Sequence, residues 1–144
     1  MIRPQVIVIV PCYNEAHRLP QQDFIQFVDF LPGYDFLFVD DGSADQTREV
    51  LKGLQAQRPE RFRYLSLEKN SGKAEAVRRG FLEAMNSGAP FLAFWDADLA
   101  TPLEVLPHFL HLVEERPQIQ IVMGARVKLM GHEIQRHWLR HYLG

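Results

Sequence analysis

Continuous apolar runs alternate along this chain with segments in which apolar residues recur every three or four positions. The first run, residues 6–10, is β-branched throughout and lacks polar alternation, which is typical of a strand covered on both faces. We expect Pro11 to end it. Comparable runs predict further strands at 36–39, 62–67, 91–95 and 119–125.

The segments between these runs have the spacing of amphipathic helices. They predict helices over 20–31, from about 43 to 57, over 72–86 and over 102–116. Ser43 or Asp45 is suited to cap the second helix, and Thr101 the last, with Pro102 at its first position. Strands that alternate with helices through short loops predict an α/β sandwich with a mainly parallel sheet.

Composition narrows the classes of function. The chain has 144 residues, enough for one ordinary domain, and a formal net charge of −2, which gives no general attraction to nucleic acid. A single cysteine, Cys12, excludes an internal disulfide and indicates a reducing compartment, so we expect a cytoplasmic protein. The early apolar run is too short to span a membrane.

The last segment, residues 126–144, differs from the rest because it is basic and rich in histidine. Its apolar residues follow an amphipathic helical pattern that is still running at Gly144. We therefore expect residues 127–144 to begin a segment that is incomplete in this sequence.

Polar segments follow each predicted strand. They are "PCYNE" at 11–15, "DDGS" at 40–43, "EKNSGKAEAVRRG" at 68–80, "DADLATP" at 96–102 and "GAR" at 124–126. In an open α/β sheet, ligands bind outside the carboxyl ends of the strands. Five such segments at one edge of the sheet predict a binding site there.

Two aspartates one residue apart, Asp96 and Asp98, follow the fourth predicted strand. Residues i and i+2 of an extended segment point the same way, so the two carboxylates can converge on a divalent cation. Oxygen ligands suit Mg²⁺ or Mn²⁺, often shared with substrate phosphates. The alternative is that both aspartates only turn the chain into the next helix.

Three other phosphate- or nucleotide-binding patterns fail on spacing. A haloacid-dehalogenase phosphatase needs threonine where Ala100 stands. A P-loop needs glycine at Leu67 and serine or threonine at Ala74. A dinucleotide-binding fold needs glycines after its first strand, and residues 11–16 contain none.

Taken in order, "PCYNE", "VDDGS", "NSGKAEAVRRG", "WDADLATP" and "GAR" resemble the inverting glycosyltransferases of family 2. The resemblance covers residues 5–126 and implies the GT-A fold, a Rossmann-like three-layer sandwich. Within the family, "GKAEAVRRG" followed by "DADLATP" is most similar to the polyprenyl-phosphate sugar transferases. The "LATP" ending is most similar to their dolichyl-phosphate glucosyltransferase group.

The resemblance implies a role for each matching residue in the first two motifs. Pro11, Tyr13 and Glu15 would border the base and ribose of a nucleotide sugar. Asp41 would contact the base, and Asp40 would shape its loop.

The later motifs supply the groups expected around the diphosphate and the sugar. Gly72 and Lys73 would lie by the diphosphate at a helix N-terminus, where anions are favoured. Asp96 would lie near the sugar and ribose, and Asp98 would be the protein ligand of the metal. Arg126 would face the phosphates, and with the two aspartates it completes the expected catalytic set.

The expected reaction is transfer of a sugar from a nucleotide diphosphate sugar to an acceptor, with inversion. UDP-glucose is favoured over GDP-mannose, and a polyprenyl phosphate is the expected acceptor, which would place the protein at the cytoplasmic face of a membrane. Residues 1–126 would form the donor-binding part and residues 127–144 the start of the acceptor side. Two alternatives stay open: a nucleotidyltransferase, and a non-catalytic module that binds nucleotide sugars.

Overall fold

The computed structural model describes residues 5–125. Its sheet is parallel, with four strands in the order β3-β2-β1-β4. The strands are β1 (Val6–Cys12), β2 (Tyr34–Asp40), β3 (Phe62–Ser66) and β4 (Phe91–Phe94). In the register, Ile9 lies opposite Leu37 of β2 and Phe94 of β4. The predicted α/β architecture with a parallel sheet is confirmed.

Helices connect the strands and follow the last one. They are α1 (Gln21–Phe30), α2 (Thr47–Gln57), α3 (Lys73–Met85) and α4 (Leu106–Glu115), with a 3₁₀ turn at Leu103–Val105. Crossovers between parallel strands are right-handed. Because β1, β2 and β3 advance in one direction and β4 returns to the other side of β1, α1 and α2 cover one face and α3 the other.

Aromatic side chains form the core between α1 and the sheet. Phe24 of α1 meets Phe36 and Phe38 of β2 edge to face, with ring centroids 5.2 and 5.1 Å apart. Phe62 of β3 packs on the same two rings at 6.1 and 5.8 Å. All four rings are fully buried, and such edge-to-face pairs add to the free energy of burial.

The opposite face of the sheet packs against α3 through smaller residues. Ile9, Val39 and Ala76 belong to one buried cluster there. Gly80 of α3 lies so close to the sheet that a Cβ atom on it would stand 2.5 Å from Ile9 Cγ2 and 3.0 Å from Val39 Cγ2. The first turn of α3 is thereby fixed against the strands that carry the polar segments.

Arg61 fastens the amino-terminal edge of the sheet. Its Nε donates to Asp35 Oδ1 at 2.9 Å, and its other nitrogens donate to the carbonyls of Val28, Leu31 and Tyr34. All three nitrogens of the guanidinium donate in this network, so we assign Arg61 a structural role.

Pro11 does not end β1, as expected from the sequence, but lies within it and pairs with Val39. The strand continues because β4 pairs only with residues 6–9, and Ile9 O accepts the Trp95 N–H as that ladder ends. Residues two apart face the same neighbour, so the N–H that proline lacks would point beyond the β4 ladder.

The C-terminal predictions need two corrections. Residues 119–125 form no strand, and Ile121 and Met123 are 77% and 82% exposed, so no strand of the described part pairs with this run. Thr101 does not cap a helix: the cap position of the 3₁₀ turn is Pro102, in extended conformation and without a side-chain cap. Contrary to the prediction, Pro102 is therefore not the first helical residue; it disfavours a helical conformation at Thr101 before it and is itself extended, so the turn begins only at Leu103.

The described part of the chain divides after Leu106 into two units. Arg126 and the expected acceptor-side segment 127–144 lie outside the described residues. Among residues 5–125, no helix has both the length and the apolar character needed to cross a bilayer.

Candidate functional site

The carboxyl ends of the strands lie at one edge of the sheet, where four loops meet. We name them loop 1 (residues 13–20), loop 2 (41–46), loop 3 (67–72) and loop 4 (95–102). The strand order reverses between β1 and β4, because the chain leaves β1 toward β2 and later returns to the far side of β1. Ligands of open α/β sheets bind in the crevice at such a reversal. Loops 1 and 4 flank it.

Loops 1 and 2 are joined by hydrogen bonds between backbone and side chains. The Asn14 N–H donates to Ser43 Oγ at 3.0 Å, and the Glu15 N–H donates to Thr47 Oγ1 at 2.8 Å. In return, the Ala44 N–H donates to Asn14 Oδ1 at 3.0 Å. Asn14 has a φ of 52°, a left-handed conformation that asparagine tolerates better than most residues.

Asp40 and Asp41, predicted to shape a loop and to contact a base, are both buried. Asp40 accepts the Ser43 N–H at 3.0 Å and the Ser66 hydroxyl at 3.3 Å, and Arg48 lies 3.4 Å from its second oxygen. Asp40 therefore holds loop 2 against β3.

The Asp41 carboxylate spans the gap between loops 2 and 3. Its two oxygens accept the Ser71 N–H at 2.8 Å and the Gly72 N–H at 2.9 Å. Gly42 allows loops 2 and 3 to lie this close together, since a Cβ atom there would stand 2.3 Å from the carbonyl carbon of Lys69. With a φ of 64°, Gly42 also adopts a backbone conformation that favours glycine.

Lys73 and Asp96, predicted to lie by the diphosphate and the sugar, are in contact. The Lys73 ammonium, at the first position of α3, donates to Oδ1 of Asp96 in loop 4. The side chains are 60% and 41% exposed, so both remain open to solvent and to a ligand. An ion pair thus joins the N-terminus of α3 to loop 4.

Loop 4 holds Asp98 in a tight turn. Asp98 Oδ1 accepts the Ala100 N–H at 3.0 Å, and Trp95 Nε1 closes the loop by donating to Thr101 O at 2.7 Å. Leu99 has a φ of 49°, which is unusual for a large side chain and marks local backbone strain. Trp95 is 6% exposed and belongs to the core.

Glu15 is a half-buried carboxylate of loop 1. Its Oε1 lies 3.0 Å from Arg18 Nη2, whereas Oε2 is buried without a hydrogen-bond partner. Burial raises the pKa of Glu15 above its ordinary value, against the opposing effect of Arg18, and the charges of Asp98 and Asp45 raise it further. Repulsion between Asp98 and Glu15 therefore acts across the crevice that loops 1 and 4 flank.

The other residues of "PCYNE" differ in how far they are exposed to solvent. Tyr13 is 45% exposed and can meet a ligand, while Pro11 is half-buried in β1. Cys12 is buried, with its thiol directed to Val10 O, and burial raises its pKa strongly. A thiol in that state is a poor nucleophile, so Cys12 serves as a small apolar residue of the core.

The donor set at loop 4 fits a cation that is shared with a substrate. Within residues 5–125, no group of three or more His, Cys, Asp or Glu side chains could hold a metal ion. Asp98 is an exposed carboxylate, and Mg²⁺ or Mn²⁺ commonly takes one or two carboxylates together with phosphate and water oxygens. A single protein carboxylate beside a diphosphate therefore suits these ions.

Three residues that organise the edge were not among the predicted site residues. Asn14 and Thr47 join loops 1 and 2, and Leu99 carries the strain of loop 4. Asparagine within "PCYNE" was a usable signal, because asparagine favours left-handed turns. Nothing in the sequence around Leu99 indicates a positive φ.

Comparison with known proteins agrees with this geometry. The profile of glycosyl transferase family 2 matches residues 7–143. A dolichyl-phosphate beta-glucosyltransferase of Dictyostelium discoideum is 33% identical over 150 residues, which cover 94% of this chain and 45% of that protein. A dolichol-phosphate mannosyltransferase of Pyrococcus furiosus is 35% identical over 130 residues, 86% of this chain and 35% of that protein.

A solved structure shares the fold. A mannosyltransferase from Pyrobaculum calidifontis, in complex with GDP-Man and Mn²⁺, superposes with a TM-score of 0.64 at 26% identity, over 78% of this chain and 33% of that one. The predicted GT-A fold is thereby confirmed. The chain spans less than half the length of these relatives.

Proposed function

This chain belongs to glycosyl transferase family 2, and on that premise we propose that its loop edge is the donor site of an enzyme that glycosylates a lipid phosphate. The donor is a nucleotide diphosphate sugar and the acceptor a polyprenyl phosphate, with inversion at the anomeric carbon. Residues 1–126 form the donor-binding part and residues 127–144 begin the acceptor side.

The base and ribose are proposed to lie over loops 1 and 2. Tyr13 offers an exposed ring for contact with the base, and Pro11 and Glu15 border the same crevice. Asp40 keeps loop 2 in place from below, because its carboxylate is fully buried beneath it. Asp41 lies at the base end of the site.

The diphosphate is proposed to lie between loops 3 and 4. Gly72 and Lys73 present the start of α3, where the helix dipole favours anions. Lys73 leaves its contact with Asp96 to meet phosphate oxygens, and Asp96 is then free to accept hydroxyl groups of the sugar or ribose. Arg126 is proposed to face the phosphates.

Departure of the diphosphate needs positive charge, since negative charge develops on the β-phosphate oxygen as its bond to the anomeric carbon breaks. A divalent cation held by Asp98 would supply Lewis-acid stabilisation of that charge. Lys73 and Arg126 add two protein cations. A polyprenyl phosphate is already anionic at pH 7 and needs no strong general base.

The single observation that carries this proposal is the Lys73–Asp96 pair beside Asp98, at the reversal of strand order. It places a cation, a helix N-terminus and two carboxylates within one crevice. Such a set fits a charged donor that is bound together with a metal.

We propose UDP-glucose as the donor, in preference to GDP-mannose. "DADLATP" supports this choice, as do relatives in Dictyostelium discoideum and Mus musculus that carry the name dolichyl-phosphate beta-glucosyltransferase. Such an acceptor would place the reaction at a membrane surface. GDP-mannose is the competing donor, because other similar proteins are mannosyltransferases and one of them is in complex with GDP-Man.

Calorimetric titration of the chain with UDP, UDP-glucose, GDP and GDP-mannose, each with Mn²⁺, tests the proposal. We expect the uridine nucleotides to bind more tightly. Tighter binding of GDP would overturn the choice of donor and leave the donor site standing. Binding of neither nucleotide diphosphate would overturn the proposed function itself.

A further inference from the structure

We propose that Asp41 positions the diphosphate-binding loop, in addition to any contact that it makes with the base. This inference rests on the proposed function, because it concerns how the same site binds its donor. Asp41 would be a positioning residue that acts through loop 3 on Lys73.

The geometry of Asp41 differs from that of a side chain kept for a ligand. It is 3% exposed, and each of its oxygens already accepts a backbone N–H of loop 3. Ser71 and Gly72, the two donors, immediately precede α3, and Gly72 is its cap position. The cap has no side-chain hydrogen bond of its own, and Asp41 instead holds the cap residue and the residue before it through their N–H groups, so a carboxylate from loop 2 fixes the start of α3 from outside the helix.

Each oxygen of a carboxylate has two acceptor sites. Asp41 can therefore hold loop 3 and still accept an N–H from a base. Through these bonds, loop 2, which borders the base, fixes the residue next to Lys73, which meets the diphosphate. The two halves of the donor site are joined at one side chain.

The sign of the change in UDP affinity relative to uridine distinguishes this positioning role from a simple effect of charge. Removing a negative charge near a diphosphate reduces repulsion, and by charge alone Asp41→Asn would strengthen binding of UDP relative to uridine. Asparagine has one acceptor oxygen and a donating NH₂ group, so it can satisfy only one of the two loop N–H groups. Loss of the second bond displaces loop 3, and we expect UDP to lose affinity relative to uridine.

The experiment measures the dissociation constants of uridine and of UDP with Mg²⁺ for the wild-type chain and for Asp41→Asn. We expect the ratio of UDP to uridine affinity to fall about tenfold, the scale of one lost charge-assisted hydrogen bond. Glu83→Gln is the charge control, because Glu83 is an exposed acid near the far end of α3, and its ratio should equal that of wild type.

A second pair of variants leaves the Asp41 side chain unchanged. One member strains loop 3, and the other strains a position outside it. Gly72 and Gly88 have φ values of 92° and 74°, and each has open space where a Cβ atom would stand. Alanine strains the backbone at both positions, but Gly88 lies beyond the far end of α3. Gly72→Ala should lower the UDP to uridine ratio, whereas Gly88→Ala should leave it unchanged. This pair decides the question if Asp41→Asn does not fold.

A double variant tests the route through Lys73. If Asp41 acts through Lys73, the losses of UDP affinity in Asp41→Asn and Lys73→Gln should not add in the combined variant.

Equal losses of uridine and UDP affinity in Asp41→Asn would restrict Asp41 to the base and overturn the inference. A raised ratio would leave only the effect of charge and would overturn it as well. So would an unchanged ratio in Gly72→Ala. If wild type prefers guanine, guanosine and GDP replace the uridine pair; if it binds no nucleotide, the proposed function falls and this inference with it.

Discussion

Asp98 illustrates how one side chain can serve both a turn and a ligand. Its Oδ1 accepts the Ala100 N–H, which is the turn-forming contact that the sequence left as an alternative to metal binding. A carboxylate has several acceptor sites, so the turn-forming bond does not by itself preclude a cation. The two interpretations are therefore compatible in the structure, and only a variant that keeps the turn and removes the charge distinguishes them.

Asp98→Asn is that variant, since its amide oxygen can still accept the Ala100 N–H. We expect metal-dependent UDP affinity to fall at least about tenfold, roughly 1.4 kcal/mol, because the neutral amide is a poor ligand for Mg²⁺ or Mn²⁺. The melting temperature without ligand should hold or rise, because the repulsion between Asp98 and Glu15 is relieved. Calorimetry and thermal unfolding of the same sample measure the two quantities.

Glu104→Gln is the matched control, because Glu104 is an exposed acid of the following 3₁₀ turn. It should change neither quantity. Unchanged metal-dependent affinity in Asp98→Asn, together with a lowered melting temperature, would reduce Asp98 to a turn residue.

Glu15 gives a prediction that depends on pH. Because folding raises its pKa, the folded chain binds more protons than the unfolded chain just above the ordinary value of 4.5. The free energy of unfolding therefore falls as pH rises through the interval between 4.5 and the higher folded pKa. Glu15→Gln removes the buried charge, and its melting temperature should exceed that of wild type at pH 7.

The advantage of Glu15→Gln should shrink as pH falls below the ordinary glutamate pKa, where wild-type Glu15 is protonated in both states. Thermal unfolding between pH 4 and pH 7, with the exposed Glu60→Gln as control, checks this. A difference in melting temperature that is constant across this range would contradict the assigned cause.

At the scale of elements, the helix–sheet contact under α3 positions loop 3. The sequence places Gly80 on the apolar stripe of α3, yet its spacing alone could not reveal how closely the helix approaches the sheet. The structure does so through the distance from a notional Cβ atom to Ile9. Gly53 of α2 provides a contrast, since a Cβ atom there meets nothing within 4 Å.

We expect opposite effects from the two glycine-to-alanine variants. Gly80→Ala should lower the free energy of unfolding by about 1–3 kcal/mol, because Ile9 and Val39 are β-branched, buried and unable to yield cheaply. Gly53→Ala should raise it by about 0.5–1 kcal/mol, because alanine is the better helix former. Urea denaturation of both variants measures the difference. Stabilisation of equal size in both would show that α3 does not pack as closely as described.

At the scale of the whole molecule, the sequence predicts the strands best where burial on both faces leaves no alternation, as in β1 and β2. It fails where a neighbouring element decides the outcome. Pro11 stays in its strand because β4 ends early, and the apolar run at 119–125 forms no strand because no described strand pairs with it.

The sequence likewise predicts only part of the candidate site. Motif order predicts that residues such as Lys73, Asp96 and Asp98 share one edge, because strand polarity alone brings them there. It could not predict which of them touch. The Asp41 bonds to loop 3 and the Lys73–Asp96 pair depend on loop conformations that a positive φ at Gly42 and Leu99 helps to set.

The claim that joins all these scales is that the carboxyl edge of the sheet holds a metal and a nucleotide diphosphate together. Paramagnetic broadening of amide signals by Mn²⁺ in the presence of UDP, with Mg²⁺ as the diamagnetic reference, tests it most directly. We predict that signals of loop 4 and of Gly72 and Lys73 are lost, while those of Gly33 and Arg61 at the opposite edge persist. Broadening at that opposite edge, or loss of loop 4 signals to the same extent without UDP, would contradict the account.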